Sequence, residues 1–141
     1  MSIHSSRNNS YNNRLTHLEV YKKAIELFKT SRLLATYITD NKDIGSMNTS
    51  KQKSDRYSLQ LVMDSMSLVP DIAEVHTTFD VSMKRYKIRR MKKTLTRLHK
   101  YCDYIEKRYE HAKDYIHLLR QEIIAYRKAH TSWENNLFKN S

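Results

Sequence analysis

Residues 84–109 read KRYKIRRMKKTLTRLHKYCDYIEKRY, and two patterns overlap in that stretch. Ile88, Met91, Leu95, Leu98, Cys102, Ile105 and Tyr109 recur at alternating spacings of three and four. This is the heptad stripe of a helix with one side buried. Around it stand Lys84, Arg85, Lys87, Arg89, Arg90, Lys92, Lys93, Arg97 and Lys100, with no acid between the first and the last. These nine cations hold +9 of the chain's formal +11 charge, so the remainder is close to neutral. A basic tail would lack the stripe. The pattern predicts a folded basic surface, and such clustering repels itself unless a polyanion relieves it.

Composition narrows the fold class. The 141 residues contain one Gly, Gly45, and one Pro, Pro70. That leaves almost no turn-formers for the hairpins of a β fold and points to an all-α architecture. Hydrophobic residues make up 39% of the chain and Tyr occurs ten times, enough for a single core in a domain of this size. The lone Cys102 lies in the apolar stripe, where a buried structural thiol is expected. No stretch approaches the ~20 apolar residues of a membrane span, and Met1 to Asn13 lacks the apolar centre of a secretion signal. A cytoplasmic location and no membrane partner are therefore expected.

Working outward, residues 1–13 read as a polar Ser/Asn-rich arm, 14–135 as the helical domain and 136–141 as a tail. A first amphipathic helix is expected from about Arg14 to Thr39, with Leu18, Tyr21, Ile25 and Phe28 on one face and Leu27, Leu34 and Ile38 beside it. Thr39 to Asp55 reads as a loop. A second helix should run from Asp55, a candidate N-cap, to His76, on a stripe of Leu59, Val62, Met66, Val69 and Ala73. Pro70 should kink it or start it afresh, and Thr78 or Asp80 should cap the basic third helix. The heptad then continues through Ala112, Ile116, Leu119, Ile123, Tyr126, His130 and Trp133. A single helix of about fifty residues, roughly 75 Å long, satisfies that spacing. A break between Glu106 and Asp114 instead gives four helices of similar length, as an antiparallel up-down four-helix bundle requires. Val20, Leu27, Leu33 and Tyr37 spread over more than one face of the first helix, which predicts self-association.

The sequence argues against catalysis. One Gly excludes a glycine-rich nucleotide loop. A di-iron bundle needs two Glu-x-x-His motifs, and the nearest here is a single Asp114-x-x-His117. Asp103, Glu106, Glu110 and Asp114 align at helical spacing but alternate with Lys100, Lys107, Arg108 and Lys113, as on a solvated salt-bridged face. His99 and Asp103 read as a surface pair. No metal, cofactor or nucleophile arrangement is expected. The nine cations are the candidate nucleic-acid-binding residues, and no base-reading motif accompanies them, so contact with RNA or DNA should be phosphate-led. An acidic protein is the alternative ligand.

Several segments resemble a superfamily of small bacterial four-helix bundles, the ribosomal intervening-sequence proteins and the accessory variability determinants of diversity-generating retroelements. Val20-Tyr21-Lys22-Lys23-Ala24-Ile25-Glu26-Leu27 is similar to the opening of the family's first helix. Arg56-Tyr57-Ser58-Leu59 is similar to the Arg-aromatic-Thr-Leu start of its second. Val69-Pro70-Asp71-Ile72-Ala73-Glu74 resembles the proline signature of the intervening-sequence branch, with the proline one place later and Val75 where a Gly normally follows. Trp133 stands where the accessory proteins commonly carry a Trp. The resemblance implies a homopentameric barrel of antiparallel bundles that binds a reverse transcriptase and its template RNA or DNA without catalysis of its own. Two readings result: a non-catalytic accessory subunit of a reverse-transcriptase ribonucleoprotein, or a structural adaptor whose basic helix docks on an acidic protein.

Overall fold

A computed structural model of the chain describes residues 15–40 and 42–139. The expected polar arm over 1–13 and the last two residues of the tail lie outside the described residues. Within them the chain is all-helical, as expected, with no strand. The elements are α1 (Glu19–Ile38), α2 (Ile44–Thr49), α3 (Lys53–Thr77), α4 (Val81–Arg108), a 3-10 turn (Glu110–Ala112) and α5 (Lys113–Leu137). Among the described residues no helix is long and apolar enough to cross a membrane.

α1 and α4 each pack against α3 and α5. Side-chain pairs give the directions. Lys87 meets Glu74, Arg90 meets Asp71 and Arg97 meets Asp64, so α3 recedes as α4 advances. Lys92 with Glu134 and Asp103 with Arg120 set α5 antiparallel to α4. Thr30 with Glu122 and Tyr37 with Tyr115 set it antiparallel to α1.

The long heptad is broken. Tyr109 takes extended backbone (φ −130°, ψ 91°), and the 3-10 turn bends the chain into α5 around buried Ala112. One extended residue reverses the chain where no glycine is available. Every stripe residue from Ile88 to Ile105 and from Ala112 to Trp133 is buried, and Tyr109 is half-buried at the corner. Asp80 caps α4 by accepting from the Met83 N–H at 3.2 Å, satisfying one of the orphan donors of a helix start.

The first two long helices depart from expectation. In α1 the core face is Val20, Ala24, Leu27, Ser31 and Leu34, and in α3 it is Ser58, Leu61, Val62, Ser65, Leu68, Ile72 and Val75. Met66 is exposed, while Leu59, Val69, Ala73, Ile25 and Phe28 are only half-buried. Serines misled the reading of periodicity. Ser31, Ser58 and Ser65 are fully buried, and Ser65 hides its hydroxyl by donating to the Val62 carbonyl. With Ala24 and Ala35, these small side chains suit a close approach of helices.

Three further expectations change. α3 does not start afresh at Pro70 but continues through it as one helix. Asp55 lies inside the first turn of α3 and not at its cap, where Lys42 (2.5 Å) and Ser50 (2.6 Å) both donate to its carboxylate. Burial pushes that carboxyl up, but the two donors outweigh it and hold it below its usual range. The 39–55 loop contains α2, capped by Asp43 and anchored by buried Met47.

Cys102 is fully buried, and burial pushes its thiol up to about 12, so almost no thiolate exists at neutral pH. Cys102→Ala should leave ligand binding unchanged and lower the unfolding free energy by about 1 kcal/mol in urea titration. Loss of binding in a folded variant would contradict a purely structural thiol.

Candidate nucleic-acid interface

α4 spans 28 residues, about 42 Å. Its buried stripe faces α3 and α5, and eight of the nine predicted cations divide into three groups around the rest of its circumference.

On the α3 flank, Lys87 is mostly buried against Asp71 and Glu74, and Arg90 donates to Asp71 at 2.6 Å. Arg97 grips Asp64 through two nitrogens at 3.0 and 3.3 Å, the bidentate fork that favours arginine over lysine. The Tyr101 hydroxyl lies 2.8 Å from the same carboxylate, and burial followed by Asp64 pushes it up to about 12. On the α5 flank, Lys92 donates to Glu134 at 3.0 Å, and the Arg85 guanidinium sits 4.4 Å from the Phe138 ring centroid. Four of the nine cations are therefore bound to the protein's own acids: Lys87, Arg90, Lys92 and Arg97.

Arg89, Lys93 and Lys100 form the third group. They are exposed, point away from the core, and have no carboxylate within ion-pair reach among the described residues. At 100° per residue they fall on one line, with Thr96 between them and Lys107 continuing it. Lys84 is half-buried at the start of α4 and also unpaired there. The 84–100 run thus does contain an open cationic row, but it is narrower than the sequence count implies.

The acidic ladder behaves as a salt-bridged face with a different cation from those expected. Arg120 of α5 donates to Asp103 at 2.7 Å and Glu106 at 2.6 Å. That hydrogen bond is the main cause that holds the Asp103 carboxyl below its usual range, and the charges of Lys107 and His99 add to it in smaller measure.

Sequence reasoning missed the surface beyond Lys100. There the Tyr57 and Tyr104 rings stack at 3.9 Å between centroids, and Arg108 lies 4.7 Å from the Tyr104 centroid. Lys100, Asp103, Tyr104, Lys107 and Arg108 line an open groove of about 790 Å³. A second groove across the tyrosine pair is lined by Lys53, Arg56, Tyr57 and Gln60. The spacing of Tyr104 and Arg108 was visible in the sequence. Their meeting with Tyr57 depends on the α3–α4 register and was not.

No protein-family model, curated protein or solved structure matches the chain.

Proposed function

We propose that the chain is a non-catalytic basic accessory subunit that binds nucleic acid through the outward row of α4 and serves a reverse transcriptase. The observation that carries the nucleic-acid part is the row Arg89, Lys93 and Lys100, left without carboxylate partners among the described residues and continued by Lys107 beside Asp103, on a helix whose other side is anchored in the core. Phosphates neutralise such a row, and each contact releases about one counterion. The reverse-transcriptase partner and a cytoplasmic setting come from the sequence resemblance and the expected absence of a membrane span. In this reading the four antiparallel long helices are an up-down four-helix bundle.

Assembly into a homopentamer is part of the same proposal. Of the residues that suggested an interface, Val20 and Leu27 are buried in the core, whereas Leu33 is 60% and Tyr37 49% exposed. Tyr37 meets Tyr115 at 5.3 Å, and Leu118 of α5 is also exposed. These residues offer an apolar face on the α1–α5 side, away from α4's basic row. Light scattering at micromolar concentration should report five times the 16.9 kDa chain mass, and a monomer would refute self-association.

The α3 flank favours a second reading, since α4 already recognises helix-borne carboxylates there. An adaptor for an acidic helix would use the outward row in the same way. Anisotropy titration against an RNA or DNA oligonucleotide, with an acidic helical peptide in parallel, separates the two. Oligonucleotide binding at moderate salt supports the accessory subunit, and binding of the peptide alone selects the adaptor. Co-purification with a reverse transcriptase, abolished by nuclease, would support the polymerase partner through shared nucleic acid.

A further inference from the structure

We infer that the stacked Tyr57–Tyr104 pair, with Arg108 beside it, is a base-stacking platform that makes this protein a single-strand binder rather than a duplex binder. The inference rests on the nucleic-acid reading above and names the form of nucleic acid that the surface takes.

The platform continues the cationic row. Lys93, Lys100, Tyr104 and Lys107 share one outward strip of α4 at helical spacing. Antiparallel packing brings the start of α3 to the end of α4, so Lys53 and Arg56 flank the same tyrosines. Lys53, Arg56, Lys100, Lys107 and Arg108 are all exposed, and none has an ion-pair partner among the described residues. Among the described residues the one acid lining either groove, Asp103, is already held by Arg120.

Structural packing accounts for the tyrosines, which rest partly buried against the core, and for Arg108, which lies over the Tyr104 ring. It does not account for Lys53, Arg56 and Lys100, exposed around them with neither an ion pair nor a ring contact among the described residues. Lys53 opens α3 and Arg56 lies in its first turn, where the helix dipole disfavours positive charge. A bound polyanion reverses that penalty.

A backbone-led duplex binder gains nothing from half-exposed aromatic planes and an exposed guanidinium plane, because duplex bases are already stacked. Single-strand binders combine a basic track with planes on which unstacked bases lie, and arginine serves as readily as an aromatic ring. Arg108 is exposed, and its contact with the Tyr104 ring pre-orients its guanidinium as one such plane.

The test uses the full chain with a single strand of about 16 nucleotides carrying 2-aminopurine, and the matching duplex, at equal salt. The wild type should bind the single strand more tightly and quench the 2-aminopurine. Arg108→Lys keeps the charge but removes the plane. It should weaken single-strand binding about tenfold, leave duplex affinity and salt slope unchanged, and abolish part of the quench. Tyr104→Phe keeps the ring and should match wild type, which guards against a folding artefact. Equal affinity for both forms, or an unaltered Arg108→Lys protein, would overturn the platform while the phosphate reading stands. Binding to neither form would overturn both.

Discussion

Replacing Arg89, Lys93, Lys100 and Lys107 together with Gln should weaken single-strand binding by about 200-fold at physiological salt, from four contacts each contributing a slope near −0.7. The salt slope should flatten by about 3 on single strands and by up to about 4 on duplex. Folding should be little affected, because exposed substitutions typically change stability by less than about 0.5 kcal/mol each. The paired cations predict the opposite signature. Replacing Lys87, Arg90, Lys92 and Arg97 with Gln strands Asp71, whose side chain is only 7% exposed. An uncompensated buried charge lowers stability by about 3 kcal/mol, while the open row keeps most of the affinity. Paired anisotropy and urea titrations on the two variants check both halves. Equal loss of affinity would mean that net charge, and not the row, governs binding. A set drawn from the sequence alone, Arg85, Arg89, Lys92 and Lys93, mixes the two classes and blurs the result.

Acidification should destabilise the protein through His130. This ring is buried in α5, with the Tyr126 hydroxyl 3.1 Å from Nδ1 and Glu134 3.8 Å from Nε2. Lys92, bound to the same Glu134, is the neighbouring cation. Tyr126 has its ionisation pushed up by burial and Asp71, so it stays a hydroxyl and can donate to Nδ1. Burial lowers His130 to about 4 from an ordinary 6.5, against the smaller raising effect of Glu134. The unfolded chain therefore takes up a proton before the folded one. The stabilising contribution is complete above pH 6.5 and is lost as pH falls through about 4, amounting to about 3 kcal/mol. His130→Gln keeps an acceptor for Tyr126 and has no proton to gain. Between about pH 7 and pH 4, urea titration should show wild type losing about 3 kcal/mol more than the variant. Parallel losses in the two proteins would remove His130 from the account.

Heptad spacing revealed the helices whose stripes are written in large apolar letters, and it failed where buried positions are written in small polar ones. From Ile88 to Trp133 every stripe residue is buried apart from half-buried Tyr109, because Ile, Leu, Met and Trp signal burial directly. Ser31, Ser58 and Ser65 occupy the core with letters that ordinarily signal solvent, so the α1 and α3 faces came out displaced. Asp55 looked like a cap because its type suits one, yet its partners Lys42 and Ser50 come from the preceding segment and depend on how α2 folds back. The basic helix was legible as charge, but its division into paired and open cations was not. That division depends on which acids of α3 and α5 stand opposite each position, a property of register rather than of the α4 sequence. For the same reason Tyr57 could not be joined to Tyr104.

The most direct measurement is the wild-type affinity for a short single strand followed across a salt series. Log affinity should fall linearly with log salt, with a slope of about −3 or steeper, as expected for at least four phosphates on the open row. A flat salt response, or no binding even at low salt, would contradict the claim that this row is a phosphate-binding surface.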